Sequence, residues 1–555
     1  MTKNIRFSNL DRKKTIAKLK GETFDLVVIG GGITGGGIAL DAASRGLKVA
    51  LVEKNDFASG TSSKSTKLIH GGLRYLKQFD FWLVKEVGSE RAIVHNLAPH
   101  LVLPEKMLLP LIENGSYGKW LTSIGLKVYD ILAQVTGDDK RKMLEKKEAL
   151  KLEPLLPKKI LKGAGYYAEY RTDDSRLTME TIKTSLQYGA MPLNYAEVTD
   201  FIYEEDMVAG VKVKDTVLDT EFPIKAKYVI SAAGPWVDEL RGINNSKKGK
   251  RLHLTKGVHL VFPYEKLPIK QSVYFDIPDG RMMFAIPRGK ITYIGTTDTN
   301  FNENKDSVRT DVADAIYLIS AVNNMFPKIN LEMEDIISSW AGLRPLIHEE
   351  GKSASELSRK DEIFTSDTGL ISIAGGKLTG YRKMAERVVN RVAKKMEEDY
   401  GISVKDSDTE HIPLCGNDFK KYKYVKKYIA EIHERLTPEG FSHYDAWYLV
   451  TNYGKQTETI LQYYAKQKED DHVLGMAKAE LKFTIENEMV QTPMDFFIRR
   501  TGRLYFDIDS IRNLMEPILA EFKTIYKLDD EVINFYRKTL EREMDEHSNF
   551  SLDRI

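Results

Sequence analysis

The chain has 555 residues, of which 42% are hydrophobic and 29% charged, as is typical of a soluble globular protein with two or three domains. Lysine and arginine number 82 against 80 aspartate and glutamate, so the sequence lacks the basic excess of a nucleic-acid-binding protein, and we expect no nucleic-acid partner. The single cysteine, Cys415, excludes an internal disulfide and Cys-rich metal or iron–sulfur sites, and we expect no metal ion.

The start of the chain and its overall hydropathy predict a cytoplasmic protein. Residues 1–21 contain no apolar run like the central segment of a signal peptide. No uninterrupted apolar stretch approaches the length of a transmembrane helix. We therefore expect any membrane contact to be peripheral.

The first predicted elements form a βαβ unit. Residues 24–30, FDLVVIG, are short, apolar and rich in β-branched side chains, which predicts a buried parallel strand. The glycine-rich turn GGGITGGG follows at once, then a predicted helix over residues 38–46 and a second strand over residues 47–54, which closes on Glu53. This order is that of a dinucleotide-binding unit.

The glycines of this turn have the G-x-G-x-x-G spacing. We expect Gly30 to permit the tight turn, Gly32 to admit the pyrophosphate and Gly35 to let the helix pack closely on the strand. The helix N-terminus would face the phosphates, with Thr34 as a further contact, and Glu53 would accept hydrogen bonds from the adenosine ribose. The alternative is a plain glycine-rich turn in an α/β fold.

A loop rich in hydroxyl groups, SGTSSKSTKLIHGGLRYL at residues 59–76, follows the second strand almost at once. An NAD-binding fold would usually continue with another helix and strand, whereas the ribityl chain and ring of a flavin need additional polar contacts. We therefore predict FAD as the cofactor. The candidate contacts in this loop are Thr61, Ser62, Ser63, Ser65, Lys67, Leu68, His70, Gly71 and Gly72.

Two further strand-to-turn motifs lie later in the chain. YVISAAGPWVDEL (228–240) places the small residues Ala233 and Gly234 where backbone can approach a cofactor, and Val198 is a further candidate contact. LISIAGGKLTG leads into a helix predicted from about Thr379. A helix N-terminus with a nearby lysine would stabilise negative charge on a reduced flavin, and the candidates are Gly376, Lys377, Leu378 and Thr379.

The order of the motifs GGGITGGG, TSSKSTKLIHGGLRYL, VISAAGPW, AGLRPL and GGKLTGYRK resembles that of the FAD-dependent glycerol-3-phosphate dehydrogenases, within the D-amino-acid-oxidase-like flavoproteins. The resemblance is dense over residues 20–400 and weaker through the C-terminal part. One departure is Gly380, where many relatives have a hydroxyl. The similarity implies oxidation of sn-glycerol 3-phosphate to dihydroxyacetone phosphate, with electrons passed from reduced FAD to membrane quinone.

The closest rival within this family is the oxidase that passes electrons to oxygen and forms hydrogen peroxide. Those relatives carry an extra inserted segment, which a chain of 555 residues does not accommodate, so we favour the dehydrogenase. An amino-acid oxidase on the same fold and a non-catalytic flavin-binding partner protein are the alternatives from other classes. By resemblance, Arg344 and Arg359 are candidates for binding a phosphate, and with Lys377 they favour a phosphorylated polyol as the substrate.

The resemblance also suggests residues for the substrate. Arg344 and Arg359 are the candidates for the phosphate, because guanidinium groups fork onto phosphate oxygens. Arg74 matches a further active-site arginine, with Tyr75 beside it. A lone arginine is more often a surface charge, but Arg344 lies in an apolar, proline-flanked stretch where an unpaired charge would be costly.

In the implied oxidation, a base must take the proton from the C2 hydroxyl of sn-glycerol 3-phosphate. His259, in KGVHLVFP, and His70, in KLIHGG, are the two histidines that stand out, although a lone histidine is usually structural. We favour His259 as the group on the substrate side. Lys377 or Arg344 could instead stabilise the alkoxide electrostatically.

The sequence predicts an α/β fold with three parts. These are a Rossmann-type FAD-binding domain like that of glutathione reductase and D-amino-acid oxidase, a mainly antiparallel β substrate cap, and an all-helical C-terminal domain. The FAD-binding domain is expected to be discontinuous. Its pieces would be residues 20–95, 160–255 and 335–400, the cap 96–159 and 256–334, and the helical domain 410–555. The role of the last part stays open between a bundle scaffold and a homodimer surface.

Transfer to quinone requires contact with the inner face of the membrane. KWLTSIGLKVYDILAQV at residues 119–135 has few charges and places Trp120, Ile124, Val128, Ile131 and Leu132 near one helical face. The basic amphipathic helix at residues 379–396 is an alternative. Both patterns equally fit a helix that packs against the core.

Overall fold

The structure, a computed structural model, describes residues 6–70, 81–113, 115, 140–348, 361–467 and 469–549. Two β-sheets and a C-terminal group of helices make up the fold. The strands are β1 Thr23–Ile29, β2 Val49–Val52, β3 Leu68–Ile69, β4 Leu103–Ile112, β5 Lys142–Glu145, β6 Leu161–Arg171, β7 Met191–Leu193, β8 Ala196–Glu204, β9 Met207–Asp215, β10 Thr220–Ser231, β11 Leu252–Pro263, β12 Ser272–Asp276, β13 Met282–Arg288, β14 Ile291–Gly295, β15 Thr299–Asn300, β16 Ser338–Ile347, β17 Asp361–Thr365 and β18 Ile371–Gly375.

The α-helices alternate with the strands in the first half of the chain and dominate after residue 380. They are α1 Arg12–Gly21, α2 Ile33–Ser44, α3 Phe81–Leu97, α4 Lys146–Leu152, α5 Asp174–Gln187, α6 Val237–Ile243, α7 Val312–Met325, α8 Tyr381–Tyr400, α9 Tyr422–Leu436, α10 His443–Tyr453, α11 Thr457–Tyr464, α12 His472–Asn487, α13 Arg503–Phe506, α14 Ile508–Tyr526 and α15 Asp530–Ser548.

The first sheet contains the predicted βαβ unit. Its strand order is β17-β18-β10-β1-β2-β7, and β18, β10, β1, β2 and β7 run parallel. In the pairing register, Ile29 at the end of β1 lies opposite Val52 and Ser231 at the ends of β2 and β10. The carboxyl ends of the central strands therefore meet at one edge, where doubly wound folds bind their ligands.

The second sheet is mainly antiparallel, in the order β15-β11-β14-β13-β12-β4-β6-β3, with β16 paired to β11 and β5 to β6. It corresponds to the predicted cap. The expected boundaries need correction, because β6 and β16 pair within this sheet, whereas residues 160–255 and 335–400 were assigned to the cofactor domain. The sequence of each strand is compatible with either sheet, so only the pairing decides their place.

The C-terminal part is helical, as predicted, and the described residues after 380 contain no strand. Part of it forms a core of its own, in which Val425, Ile432 and Leu449 are buried, and another part packs against the cap. Phe496, Phe497 and Phe506 pack in one cluster with Trp340 and Tyr293 of the second sheet. The helical domain expected from the sequence is therefore present, and its later helices also share a core with the cap.

The described structure tests only one of the two candidate membrane helices, α8. Among the described residues, no helix combines the length and apolar character needed to cross a bilayer. The apolar face of α8 is buried in the core of the first sheet through Met384, Val388 and Val392, so this face cannot lie on a membrane. Residues 119–135 lie outside the described residues.

A buried ion pair joins the C-terminal helices to the first sheet. Arg500 donates from both terminal nitrogens to the two carboxylate oxygens of Asp56, at 2.7 and 2.8 Å, and both side chains are fully buried. Burial alone would raise the pKa of Asp56, but the charges of Arg500 and Arg499 lower that pKa to about 2. Asp56 lies three residues after Glu53, so this pair anchors the loop that follows β2.

Replacing Arg500 by methionine should lower the free energy of unfolding by about 3 kcal/mol, because it removes one of the two guanidinium groups that neutralise a buried carboxylate and leaves only Arg499 beside it. Thermal and urea unfolding of the purified protein would measure the change. The matched control is Arg435→Met, which removes an exposed pair with Glu458 and should cost at most about 1 kcal/mol. Equal unfolding midpoints for the two variants would show that the buried pair does not couple the parts.

Candidate functional site

A cavity of about 350 Å³ lies at the carboxyl edge of the first sheet, between it and the second sheet. Its size is within the range of about 300–1,000 Å³ that is usual for small-molecule sites. The wall is formed by the turn after β1, the loop at 59–70, the turn after β10, the turn after β18, and residues of β11 and β16. Motifs far apart in the sequence therefore face one space.

The first glycine turn has the geometry that its spacing predicts. Gly30 has a φ of +114°, and a Cβ there would lie 2.5 Å from the carbonyl oxygen of Ala232. A Cβ on Gly35 would overlap the carbonyl oxygen of Gly30, so Gly35 acts through close packing and does not line the cavity. Gly32 precedes the first turn of α2, and it and Thr34 line the cavity, so the positive end of this helix opens into the cavity.

Glu53 lies at the end of β2 on the cavity wall. Its carboxylate accepts hydrogen bonds from the backbone N–H groups of Gly31 at 2.7 Å and Asn55 at 2.9 Å. Burial raises the pKa of Glu53, and these two hydrogen bonds partly offset the effect. Each oxygen keeps a further lone pair, which suits it to accept from a sugar hydroxyl.

The hydroxyl-rich loop packs against both the glycine turn and the second sheet. Ser62 Oγ accepts from the backbone N–H of Ile33 at 3.0 Å, and Thr61 Oγ1 donates to the carbonyl of Leu343 at 2.7 Å. Thr61, Ser62, Ser65, Leu68 and His70 all line the cavity. Ser63 is buried and does not line it, which corrects the expectation that its side chain contacts a cofactor.

The expectation that Lys67 contacts the cofactor also needs correction. Its ammonium is buried, donates to Asp174 Oδ1 at 2.6 Å and to the carbonyl of Ser63 at 3.0 Å, and is absent from the cavity wall. This lysine was a candidate only as part of the polar loop that follows β2. The aspartate that neutralises it lies 107 residues away in the chain, so the pairing could not be seen from the local motif.

The two later turns meet the cavity as predicted. Ala233, Gly234 and Val198 line it on one side, and Gly376, Lys377, Leu378 and Thr379 on another. Gly376 has a φ of +85°, and a Cβ there would overlap the sulfur of Met384. Thr379 Oγ1 lies 3.2 Å from the backbone N–H of His70, which ties the start of this helical segment to the hydroxyl-rich loop.

Arg344 lies on β16, with its guanidinium at the cavity wall and 20% of its side chain exposed. One terminal nitrogen donates to the carbonyl of Thr297 at 3.0 Å and to Asp298 Oδ1 at 3.1 Å, and the other to Thr296 Oγ1 at 2.8 Å. The group packs against Gly257, where a Cβ would overlap it. These contacts hold the Arg344 guanidinium in one orientation at the cavity wall.

His259 lies on β11, opposite Trp340 in the strand register, and its ring stacks on the indole with centroids 4.8 Å apart. It lines the cavity although its side chain is almost fully buried. Burial, together with the positive charges of Arg344 and Lys67, holds the pKa of His259 well below its usual range. The ring is therefore neutral at physiological pH.

Five of the predicted site residues lie outside the described residues. They are Gly71, Gly72, Arg74, Tyr75 and Arg359. Their roles stay predictions: those of Gly71 and Gly72 come from the hydroxyl-rich loop, and those of Arg74, Tyr75 and Arg359 from the resemblance.

The cavity wall includes residues that the sequence analysis did not select. Lys64 and Thr66 lie within the hydroxyl-rich loop, and burial lowers the pKa of Lys64. Lys54 directly follows Glu53, the residue expected to contact the ribose, and lines the cavity. The Lys54 ammonium lies 4.4 Å from the centre of the Trp236 ring. These three residues lie inside stretches that the sequence analysis already assigned to the site, and this was the only signal for them in the sequence. Whether their side chains face the cavity depends on the tertiary fold.

The donor set fits a flavin dinucleotide. The glycine turn leaves room where a Cβ would clash, a helix N-terminus can receive phosphate, Glu53 can accept from ribose, and the turn after β18 offers Lys377. The hydroxyl-rich loop lies between these groups and Arg344. One cavity therefore joins a cofactor end to an anion-binding end.

Comparison with known proteins agrees with this arrangement. The family model described as FAD dependent oxidoreductase matches residues 25–382, and the model described as C-terminal domain of alpha-glycerophosphate oxidase matches residues 407–533. The aerobic glycerol-3-phosphate dehydrogenase of Bacillus subtilis (strain 168) is 48% identical over 546 residues, which cover 97% of this chain and 98% of the relative. That of Staphylococcus aureus (strain USA300) is 46% identical over 550 residues, 98% of this chain and 99% of the relative.

A solved structure is also similar over the whole length. The glycerol-3-phosphate dehydrogenase from Bacillus halodurans complexed with FAD superposes with a TM-score of 0.84 at 43% identity, covering 98% of this chain and 99% of that one.

Proposed function

The chain belongs to the FAD-dependent oxidoreductases, in the glycerol-3-phosphate dehydrogenase and oxidase branch, and from this premise we propose that it oxidises sn-glycerol 3-phosphate to dihydroxyacetone phosphate and passes the electrons to membrane quinone. The observation that carries the proposal is the single cavity that holds the dinucleotide turn, Arg344 and His259 together. It supplies a cofactor site and an anion site within reach of each other.

The residues for the cofactor follow from the geometry of the wall. The N-terminus of α2 would hold the pyrophosphate, Glu53 the ribose, and the turn at Gly376 and Lys377 the flavin end. Bound FAD would supply the two-electron acceptor that takes the hydride from C2 of the substrate.

Arg344 is the residue we propose for the substrate phosphate. Its guanidinium is held by three oxygen acceptors and stays at the wall, so little side-chain entropy is lost when an anion binds. A fork of N–H donors matches phosphate oxygens better than a single ammonium does. Arg359 and Arg74 remain further candidates by resemblance, and Lys377 is the cationic group proposed nearest the reacting carbon.

His259 is the group that we propose beside the C2 hydroxyl, whose proton must leave during the oxidation. The neutral ring stays hydrogen-bond competent and adds no positive charge of its own near Arg344. Its stacking on Trp340 keeps the ring in one orientation.

The proposal also names membrane quinone as the electron acceptor. It is supported by the relatives that are named aerobic glycerol-3-phosphate dehydrogenase. It requires a peripheral contact with the inner face of the membrane, for which residues 119–135 remain our candidate. The oxidase that forms hydrogen peroxide is the alternative.

The test starts from the purified protein with FAD. Anaerobic sn-glycerol 3-phosphate should bleach the visible flavin absorbance, and a water-soluble quinone analogue should restore it much faster than air does. Rapid reoxidation by air with stoichiometric peroxide would overturn the quinone proposal in favour of the oxidase. A flavin that glycerol 3-phosphate leaves oxidised would overturn the substrate.

His259→Ala should lower the rate constant of flavin reduction by about 10–100-fold and leave FAD bound, because the change removes a polar group on the substrate side only. Anaerobic stopped-flow absorbance measures the rate, and the flavin-to-protein absorbance ratio measures retention. Unchanged reduction kinetics would end this assignment.

A further inference from the structure

The backbone around Thr66 is held more firmly than that of an ordinary surface loop. The carbonyl of Ser63 accepts from the buried ammonium of Lys67 at 3.0 Å. The carbonyl of Ser65 accepts from the Trp340 indole N–H at 3.0 Å, and the carbonyl of Thr66 accepts from the Tyr293 hydroxyl at 3.1 Å. Donors from sequence-distant residues thus fix the loop on both sides of the Thr66 side chain.

The Thr66 side chain points at His259. The distance between Thr66 Oγ1 and His259 Nε2 is 3.0 Å, and both residues line the cavity. Two neighbours hold the ring in place. Trp340 stacks on one face, and the ring lies so close to Gly295 that a Cβ on this glycine would overlap it. The hydroxyl and the ring therefore form one fixed pair.

The surroundings of the ring decide which nitrogen carries the hydrogen. His259 Nδ1 is buried and has no hydrogen-bond partner among the described residues. A buried N–H group without an acceptor is more costly than a buried bare lone pair, so the hydrogen belongs on Nε2. Nε2–H then donates to Thr66 Oγ1. Within the described part of the chain, no other side-chain acceptor lies within hydrogen-bond distance of the Thr66 hydroxyl, so its own hydrogen turns toward the cavity that it lines.

We propose that Thr66 is a catalytic residue of the oxidation and that His259 positions it, in a chain of donors from His259 Nε2–H through the Thr66 hydroxyl to the C2 oxygen of the substrate. Donors in series polarise one another, so the chain stabilises negative charge that develops on this oxygen as its proton leaves. The ring does not receive that proton at Nε2, since Nε2 already carries a hydrogen. The proton passes instead to water in the cavity, and the C2 hydride passes to bound FAD, so one proton and one hydride leave the substrate. This inference deepens the proposed function and rests on it.

Thr66→Val keeps the shape of the side chain and removes the hydroxyl, whereas Thr66→Ser keeps the hydroxyl. In the holoenzyme under anaerobic conditions, we expect Thr66→Val to lower the limiting rate of flavin reduction by about 10–100-fold, with the spectrum of bound FAD unchanged. Thr66→Ser should stay within about 3-fold of the parent protein. Thr524→Val makes the same chemical change on the exposed face of α14 and should leave the rate unchanged.

Nitrogen NMR of protein labelled with ¹⁵N-histidine gives a readout that a merely structural role would not move. The His259 signals, assigned with His259→Gln, should show hydrogen on Nε2 in the parent protein and a changed Nε2 environment in Thr66→Val. A hydrogen on Nδ1 in the parent protein, or equal reduction rates for Thr66→Val and the parent, would overturn the proposal. If glycerol 3-phosphate fails to bleach the parent protein, the proposed function has failed instead, and the tautomer measurement still tests the pairing.

Discussion

Arg344→Met is expected to lower kcat/KM for sn-glycerol 3-phosphate by about 10²–10³-fold while FAD stays bound. By its proposed role, the change removes two charge-assisted hydrogen bonds to the phosphate, worth together about 3–4 kcal/mol at the lower end of their usual range, from a guanidinium that the fold already holds in place. Steady-state kinetics with a quinone analogue measure the loss, and the visible spectrum reports the bound flavin. The same variant removes one of the charges that lower the pKa of His259, so that pKa should rise.

Two comparisons make this result specific. Arg344→Lys keeps the positive charge and loses the fork, so it should fall between Arg344→Met and the parent protein. Arg512→Met removes an exposed arginine of α14 and should have no effect on kinetics. A parent-like kcat/KM for Arg344→Met would exclude this residue from the phosphate site. The unfolding midpoint needs to be measured as well, because Asp298, whose side chain is 9% exposed, loses its ion pair with Arg344.

Gly35→Ala is expected to abolish most FAD retention, with affinity lower by about 10–100-fold or more. The new methyl group would overlap the carbonyl oxygen of Gly30, so α2 would have to move away from β1 and carry its N-terminus out of the phosphate position. Overpacking of this kind typically costs about 1–3 kcal/mol, and here it acts on the turn that binds the cofactor. The purified variant should therefore be nearly colourless, and titration with FAD should show weak binding.

Gly242→Ala is the matched control for this change. Gly242 lies in α6, where a Cβ would meet no neighbouring atom within 4 Å, and alanine favours a helix. That variant should keep its flavin. A yellow Gly35→Ala protein with one FAD per chain would show that the helix can shift without losing the cofactor.

The cofactor half of the site could be predicted closely from local sequence. Gly30, Gly32, Thr34 and Glu53 all line the cavity, because a strand, a tight turn and a helix N-terminus are specified within about thirty consecutive residues. The helix starts earlier than predicted, at Ile33 instead of residue 38, since glycines inside the turn hide its first residues from a propensity argument.

The part of the hydroxyl-rich loop that the structure describes, residues 59–70, lies at the cavity, yet its residues do not share one role. Ser62 supports the turn of α2, Lys67 is neutralised by Asp174, and Thr66 faces His259. Composition revealed that the loop was polar and near the cofactor. It could not reveal which side chains face the cavity, because alternate residues of such a loop face different partners.

The sequence by itself determined the βαβ unit, the three glycine turns and the helical character of the C-terminal part, since each depends on spacing and propensity over short stretches. Only the tertiary structure decided the strand membership of β6 and β16, the shared core of the cap with the C-terminal helices, and the substrate-side pairs. Thr66 and His259 are 193 residues apart, and Asp56 and Arg500 are 444 apart. Contacts over such separations depend on how whole sheets pack, and burial then decides which charges and hydrogens each group keeps.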